Sequence, residues 1–182
     1  MDTEFPPPPV VYVACHETGV EKFSPVLIDL DDGRVALCVY TALDRLHALC
    51  GREQPWTALA TARLDDLHEL MPFDVVMPDA DLLTGNTQLP DGNEQRVVPP
   101  VVYLACADTS DDQFVPDLHW GADGTRMLLV YSALDRLIDL CGPHQRWAVV
   151  PVERLDEIRE QAPFDRVEID AEIPEQHRRK AA

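Results

Sequence analysis

Serine occurs only three times in the 182 residues, as Ser24, Ser110 and Ser132, and none sits in a Gly-x-Ser-x-Gly elbow. That excludes the sharp strand-to-helix turn on which an α/β-hydrolase carries its nucleophile. Eight glycines form neither a phosphate cradle nor a dinucleotide fingerprint. Five cysteines (Cys15, Cys38, Cys50, Cys106 and Cys141) are an odd number without a Cys-x-x-Cys pair. They read as small buried hydrophobes in a reducing compartment, and no zinc spacing is present. No apolar run approaches the ~20 residues that span a bilayer. The opening segment, Met1 to Phe5 followed by Pro6 to Pro9, has neither the basic nor the apolar stretch of a secretory leader, so the cytoplasm is the expected location. Positive charge is also in deficit: the formal net charge is −18. Such a balance repels nucleic acids and anionic lipid, which excludes both as expected partners and suits a basic protein partner.

What is present is a core and a repetition. Apolar residues make up 46% of the chain, enough to bury a core. Pro9-Val10-Val11-Tyr12-Val13-Ala14-Cys15 returns as Pro100-Val101-Val102-Tyr103-Leu104-Ala105-Cys106. Tyr40-Thr41-Ala42-Leu43-Asp44-Arg45-Leu46 returns as Tyr131-Ser132-Ala133-Leu134-Asp135-Arg136-Leu137. Trp56 recurs as Trp147, and Pro72-Phe73-Asp74 as Pro163-Phe164-Asp165. Every pair is separated by 91 positions without insertion, and about half of the aligned positions are identical. An internal duplication is the only reading. The expected organisation is a Pro-rich tail over 1–8, a first module over 9–83, a turn-rich linker over 84–98, a second module over 99–174 and a basic, mobile tail over 175–182.

Within a module, the β-branched and aromatic run Val10 to Cys15 predicts a strand, and Val26 to Leu30 a second, closed by an Asp31-Asp32-Gly33 turn. Val35 to Tyr40 and Met127 to Tyr131 are almost wholly apolar, as a covered central strand would be. Thr41 precedes Asp44 by three residues and Ser132 precedes Asp135 likewise, which predicts a capping box. Helical spacing of Ala42, Leu43, Leu46, Leu49 and Cys50 follows, with Gly51 as the residue that ends the helix. A strand over Trp56 to Ala60 (Trp147 to Val152 in the second copy), a helix from about Arg63 to Met71 and an edge strand over Asp74 to Met77 (Arg166 to Ile169) complete the module. The fold class is therefore α/β (α+β): two tandem β-β-β-α-β-α-β modules, mixed sheets with helices packed on them. Each module is small enough that packing of the two copies in a pseudo-twofold arrangement, an intramolecular pseudo-dimer, is expected.

Searching both copies for chemistry returns little. His16, His47, His68, His119, His144 and His177 have no histidine at the equivalent position of the other copy. Cys15 and His16, adjacent on a strand, point to opposite faces and cannot form a dyad. Asp29-Leu30-Asp31-Asp32-Gly33 imitates a calcium loop, yet the glycine comes one position early and Tyr40 stands where a bidentate glutamate belongs. The acids Asp44 and Asp135 at the helix starts would repel a phosphate. No catalytic residue, cofactor or metal is expected. Polar residues common to both copies, among them Asp44/Asp135, Arg45/Arg136, Asp74/Asp165 and Asp79/Asp170, read first as caps and intramodule ion pairs. Tyr40, Trp56, Tyr131 and Trp147 are large amphipathic rings that either fill a core or line a groove. With Arg45 and Arg136 they make the candidate binding surface.

The strand followed by Tyr-Thr/Ser-Ala-Leu-Asp-Arg-Leu and a short helix resembles the Phe-Thr-Ser segment of the SseB-like module. Pro72-Phe73-Asp74-Val75-Val76-Met77-Pro78-Asp79 is similar to that module's closing strand, although Met77-Pro78 replaces its usual Asn-Pro and the second copy lacks the proline. Short actinobacterial SseB-like domains match best, and the scarcity of lysine against arginine suits a high-GC genome. The resemblance implies the fold and no activity, and some members are associated with secretion systems. The expectation is a non-catalytic protein-binding scaffold or adaptor, in the manner of an acidic immunity, chaperone or secretion-associated partner, with a homodimer left open. The alternatives are a small-molecule sensor or enzyme with its site between the repeats, and an acidic mimic of nucleic acid.

Overall fold

Val10–Gly19 (β1) begins with the alternation that buries both faces of a central strand: Val11, Val13 and Cys15 point one way, Tyr12 and Ala14 the other, and all are at most 3% exposed. The structure is a computed structural model that describes residues 7–19, 22–82, 97–109 and 114–180, with the side chains of 17–19, 22 and 23 left out. Residues 1–6, most of the expected linker and residues 181–182 lie outside the described residues. The chain divides into two compact units, Met1–Val97 and Val98–Ala182.

In the first unit β1 is followed by Lys22–Pro25 (β2), Leu27–Asp29 (β3), Val35–Tyr40 (β4), Leu43–Cys50 (α1), Trp56–Ala60 (β5), one 3-10 turn over Thr61–Arg63, Leu64–Leu70 (α2) and Val75–Pro78 (β6). The second unit repeats this with Val101–Thr109 (β7), Phe114–Pro116 (β8), Leu118–Trp120 (β9), Arg126–Tyr131 (β10), Leu134–Cys141 (α3), Arg146–Pro151 (β11), a 3-10 turn over Val152–Arg154, Leu155–Gln161 (α4) and Arg166–Ile169 (β12). Each unit is thus a six-stranded mixed sheet carrying two helices, the expected fold class with one strand more than expected. The addition has a geometric cause. β1 and β4 pair only at Tyr12↔Tyr40 and Val13↔Val39 before they diverge. The intervening chain fills the gap, pairing with β1 as β2 and with β4 as β3. A bulge in β1 between Cys15 and Thr18, repeated between Cys106 and Asp108, accompanies the divergence.

β5 lies antiparallel to β1, and β6 runs parallel to β4 from Ala36↔Val75 to Val39↔Pro78. Among the described residues each pairs on one side only, so β6 is the edge strand that was expected. The helices cover opposite faces of the sheet. In the second unit Val102, Leu104, Leu128, Val130 and Val150 pack with Ile158 of α4 and Phe164. Across the sheet Tyr103, Ala105, Leu129 and Tyr131 pack with Leu134, Leu137 and Cys141 of α3, and with Ile173. Complete burial of one such aliphatic side chain contributes about 1.5–3 kcal/mol. Gly51 and Gly142 end the first helix of each unit at φ of 92° and 96°, a region that side-chain-bearing residues rarely adopt.

The capping box is not formed. Helix α1 starts at Leu43, so its N-cap is Ala42 and Thr41 stands one residue too early; α3 starts the same way after Ala133. Asp44 and Asp135 instead accept the amides of Arg45 and Arg136 at 3.0 Å, where their charge still favours the helix start. In the basic segment Glu175–His177 forms a 3-10 turn, Arg178 donates to the Ile173 oxygen and Arg179 to Asp117.

Candidate functional site

The polar residues shared by the two repeats converge on the junction between the central strand and the first helix. Freed from capping, Thr41 turns to the end of β6. Its hydroxyl donates to Asp79 Oδ2 at 2.6 Å and its amide donates to Asp79 Oδ1 at 2.9 Å. Arg45, one turn on, donates to the same hydroxyl and lies 3.3 Å from Asp79 Oδ2. The second unit copies each contact: Ser132 amide and hydroxyl to Asp170 at 2.8 Å each, Arg136 to Ser132, and Arg136 to Asp170 at 3.5 Å. Asp79 and Asp170 hold φ of 48° and 53°, the left-handed region that aspartate tolerates better than most residues.

One residue earlier, Tyr40 donates its hydroxyl to the Ala80 carbonyl at 2.8 Å and accepts the Cys50 thiol at 2.9 Å. Tyr131 donates likewise to Ala171 at 2.8 Å, beside Cys141. Burial pushes both phenols far above their ordinary range. It also pushes Cys38 and Cys141 up to about 11 and Cys106 up to about 12. Cys15 and Cys50 are raised by the same cause. All five thiols are free, and at neutral pH they are protonated and poorly nucleophilic.

At the other end of the parallel strand, Asp74 accepts the Val35 amide at 2.7 Å while its own amide donates to Val35 oxygen at 2.7 Å. Asp165 and Arg126 repeat the pair at 2.6 and 2.8 Å. Gln54 and Gln145, overlooked in the sequence, donate their side-chain amides to the Cys15 and Cys106 carbonyls at 2.7 and 2.9 Å. Their recurrence at the 91-residue shift was the available signal.

The candidate surface of Tyr40, Trp56, Tyr131, Trp147, Arg45 and Arg136 is therefore corrected. Tyr40 and Tyr131 are fully buried, so neither ring can line a groove. Trp56 and Trp147 are half-buried, edge-on against Tyr12 and Tyr103 with ring centroids 5.6 and 5.9 Å apart. Arg45 and Arg136 belong to the aspartate networks just described. These are contacts that hold a scaffold. Among the described residues no group of His, Cys, Asp and Glu is arranged to hold a metal ion. Outward-facing chemistry is acidic: Asp65, Asp66 and Glu69 on α2, and Asp156, Glu157 and Glu160 on α4, are exposed at equivalent positions. Arg63 pairs with Asp66 at 3.3 Å on α2, whereas on α4 Arg154 pairs with Glu157 at 2.9 Å and Arg159 with Asp156 at 3.6 Å. A groove of about 340 Å³ beside α4 is lined by Phe114, Val150, Pro151, Arg154 and Ile158 among others.

No family model matches the chain, and no curated protein matches it. Among solved structures, one titled Anabaena Tic22 (protein transport) aligns over 92% of this chain and 89% of that chain, with 14% identity and a TM-score of 0.29. A score that low carries no argument about fold or role. No helix among the described residues is long and apolar enough to cross a membrane.

Proposed function

We propose that the chain is a non-catalytic adaptor of the cytoplasm, built from two SseB-like modules, that binds a basic protein partner. One observation carries the reading. The buried polar side chains common to both repeats are consumed in scaffold hydrogen bonds, whereas the acids common to both repeats on α2 and α4 face solvent. What the duplication preserves is thus a frame and an acidic exterior, within a net charge of −18. Burial of the thiols supports the same reading, since it disfavours the thiolate, the nucleophilic form.

Affinity capture with the full chain tests it. A basic protein should be retained in stoichiometric amount at low salt and released near 0.5 M, where screening shortens electrostatic reach to about 4 Å. Replacing Asp65, Glu69, Asp156 and Glu160 by lysine should abolish retention. Failure to recover any stoichiometric partner, or elution that ignores salt, overturns the proposal.

A further inference from the structure

The second unit already holds a basic peptide, its own. Residues 172–180 leave the sheet, bury Ile173 to 3% exposure in the α3-side core, and bond the Ile173 amide to Leu140 oxygen at 2.9 Å. The stem of Arg178 lies on Gly142, 3.5 Å from where a side-chain carbon there would sit. Its guanidinium donates to the Ile173 carbonyl at 2.8 Å and pairs with Glu172 at 3.2 Å. Arg179 then reaches Asp117, on the turn between β8 and β9, at 3.2 Å.

Comparison of the repeats shows that the apolar anchor is shared, Ile173 corresponding to Leu82, while the charges of the latch are an addition. At the 91-residue shift Asp117 corresponds to Val26, His119 to Ile28, Arg178 to Thr87 and Arg179 to Gln88. Neither Asp117 nor His119 is needed to build the fold, because the first unit is built with Val26 and Ile28 in their places. They differ between the copies and meet in space in the second. The fit is also incomplete. The Nε atom of Arg179 and the Nε2 atom of His119 are buried without a hydrogen-bond partner among the described residues, and His119 Nε2 stands 3.8 Å from Asp117. A held segment with unmet polar atoms is one that a better-fitting segment can displace.

We infer that Asp117 and the α3-side seat of Ile173 form a docking slot for a partner segment carrying an aliphatic anchor followed by paired arginines. Residues 172–180 occupy that slot as a displaceable pseudo-ligand. The inference rests on the adaptor reading and adds to its acidic α2 and α4 faces a second, separate contact on the α3 side of the second unit, where the chain's own arginines now lie. Because only a fraction of molecules present an open slot, weakening the resident segment raises apparent affinity for an added one.

The probe is a fluorescein-tagged peptide with the sequence of residues 172–180, titrated against the full chain by anisotropy. Arg178→Ala with Arg179→Ala should bind it about tenfold more tightly than the unsubstituted chain. Adding Asp117→Asn should remove that gain, as should raising salt to about 0.5 M. Excess peptide should also speed deuterium uptake in residues 173–180 of the unsubstituted chain, a readout that needs no variant. Equal affinity for all three proteins, or no binding, or unchanged uptake, overturns the slot. A captured basic partner that Asp117→Asn leaves untouched defeats the slot and spares the adaptor reading. A slot that takes the peptide while no partner is ever captured does the reverse.

Discussion

Asp170 concentrates several demands on one side chain: a left-handed backbone, two hydrogen bonds from Ser132 and the charge of Arg136, at 7% exposure. Asp170→Ala strips the acceptors from a buried amide and hydroxyl and removes one carboxylate from beside Arg136. The expected loss is about 2–4 kcal/mol in urea denaturation. Asp170→Asn keeps one carbonyl acceptor and tolerates the left-handed region, so roughly half of that loss is expected. Equal stability of both variants with the unsubstituted chain would remove the network from the account of the fold. Asp79 and Asp170 were visible in the sequence as a recurring pair. Their partners were not, because Thr41 had two acids to choose from and the nearer in sequence is not the nearer in space.

A closing strand that runs parallel to its neighbour cannot be fixed by a hairpin turn, since parallel strands need a crossover. Here two aspartates set its register, Asp74 or Asp165 before the strand and Asp79 or Asp170 after it. Asp165→Ala should unpin the start of β12 while costing only about 1 kcal/mol, because the lost bond is exposed. Hydrogen exchange at residues 166–169 should quicken; exchange unchanged there would show that the helix α4 connection sets the register alone. At this scale the helices, their terminal glycines and most strands were legible from periodicity and turn residues. The additional strand β2, ahead of the expected Val26 to Leu30, was not, because it follows from divergence of β1 and β4, a property of the sheet.

Raised thiols and phenols are spread through both units, so they act on the stability of the whole molecule. An unfolded thiol ionises near its ordinary value of 9.0, whereas folded Cys38, Cys141 and Cys106 hold their protons up to about 11, 11 and 12. Between these limits the unfolded chain binds fewer protons than the folded one, so stability falls as pH rises. Their contribution is complete below pH 9.0 and is lost progressively toward pH 12. Urea midpoints should therefore be lower at pH 10.5 than at pH 8.5; a level or rising trend would contradict the burial that raises these groups.

By itself the sequence determined the duplication, the α+β class, the faces of the strands and the acidic exterior, since each is written in local periodicity, in repetition or in composition. The tertiary structure decided that Tyr40 and Tyr131 are buried, that Thr41 serves Asp79 rather than its own helix, and that the basic segment lies against Asp117. Those contacts join residues 38 to 62 positions apart. Their choice depends on which groups the packed sheet brings within hydrogen-bond reach, a distance that no local pattern of residues encodes.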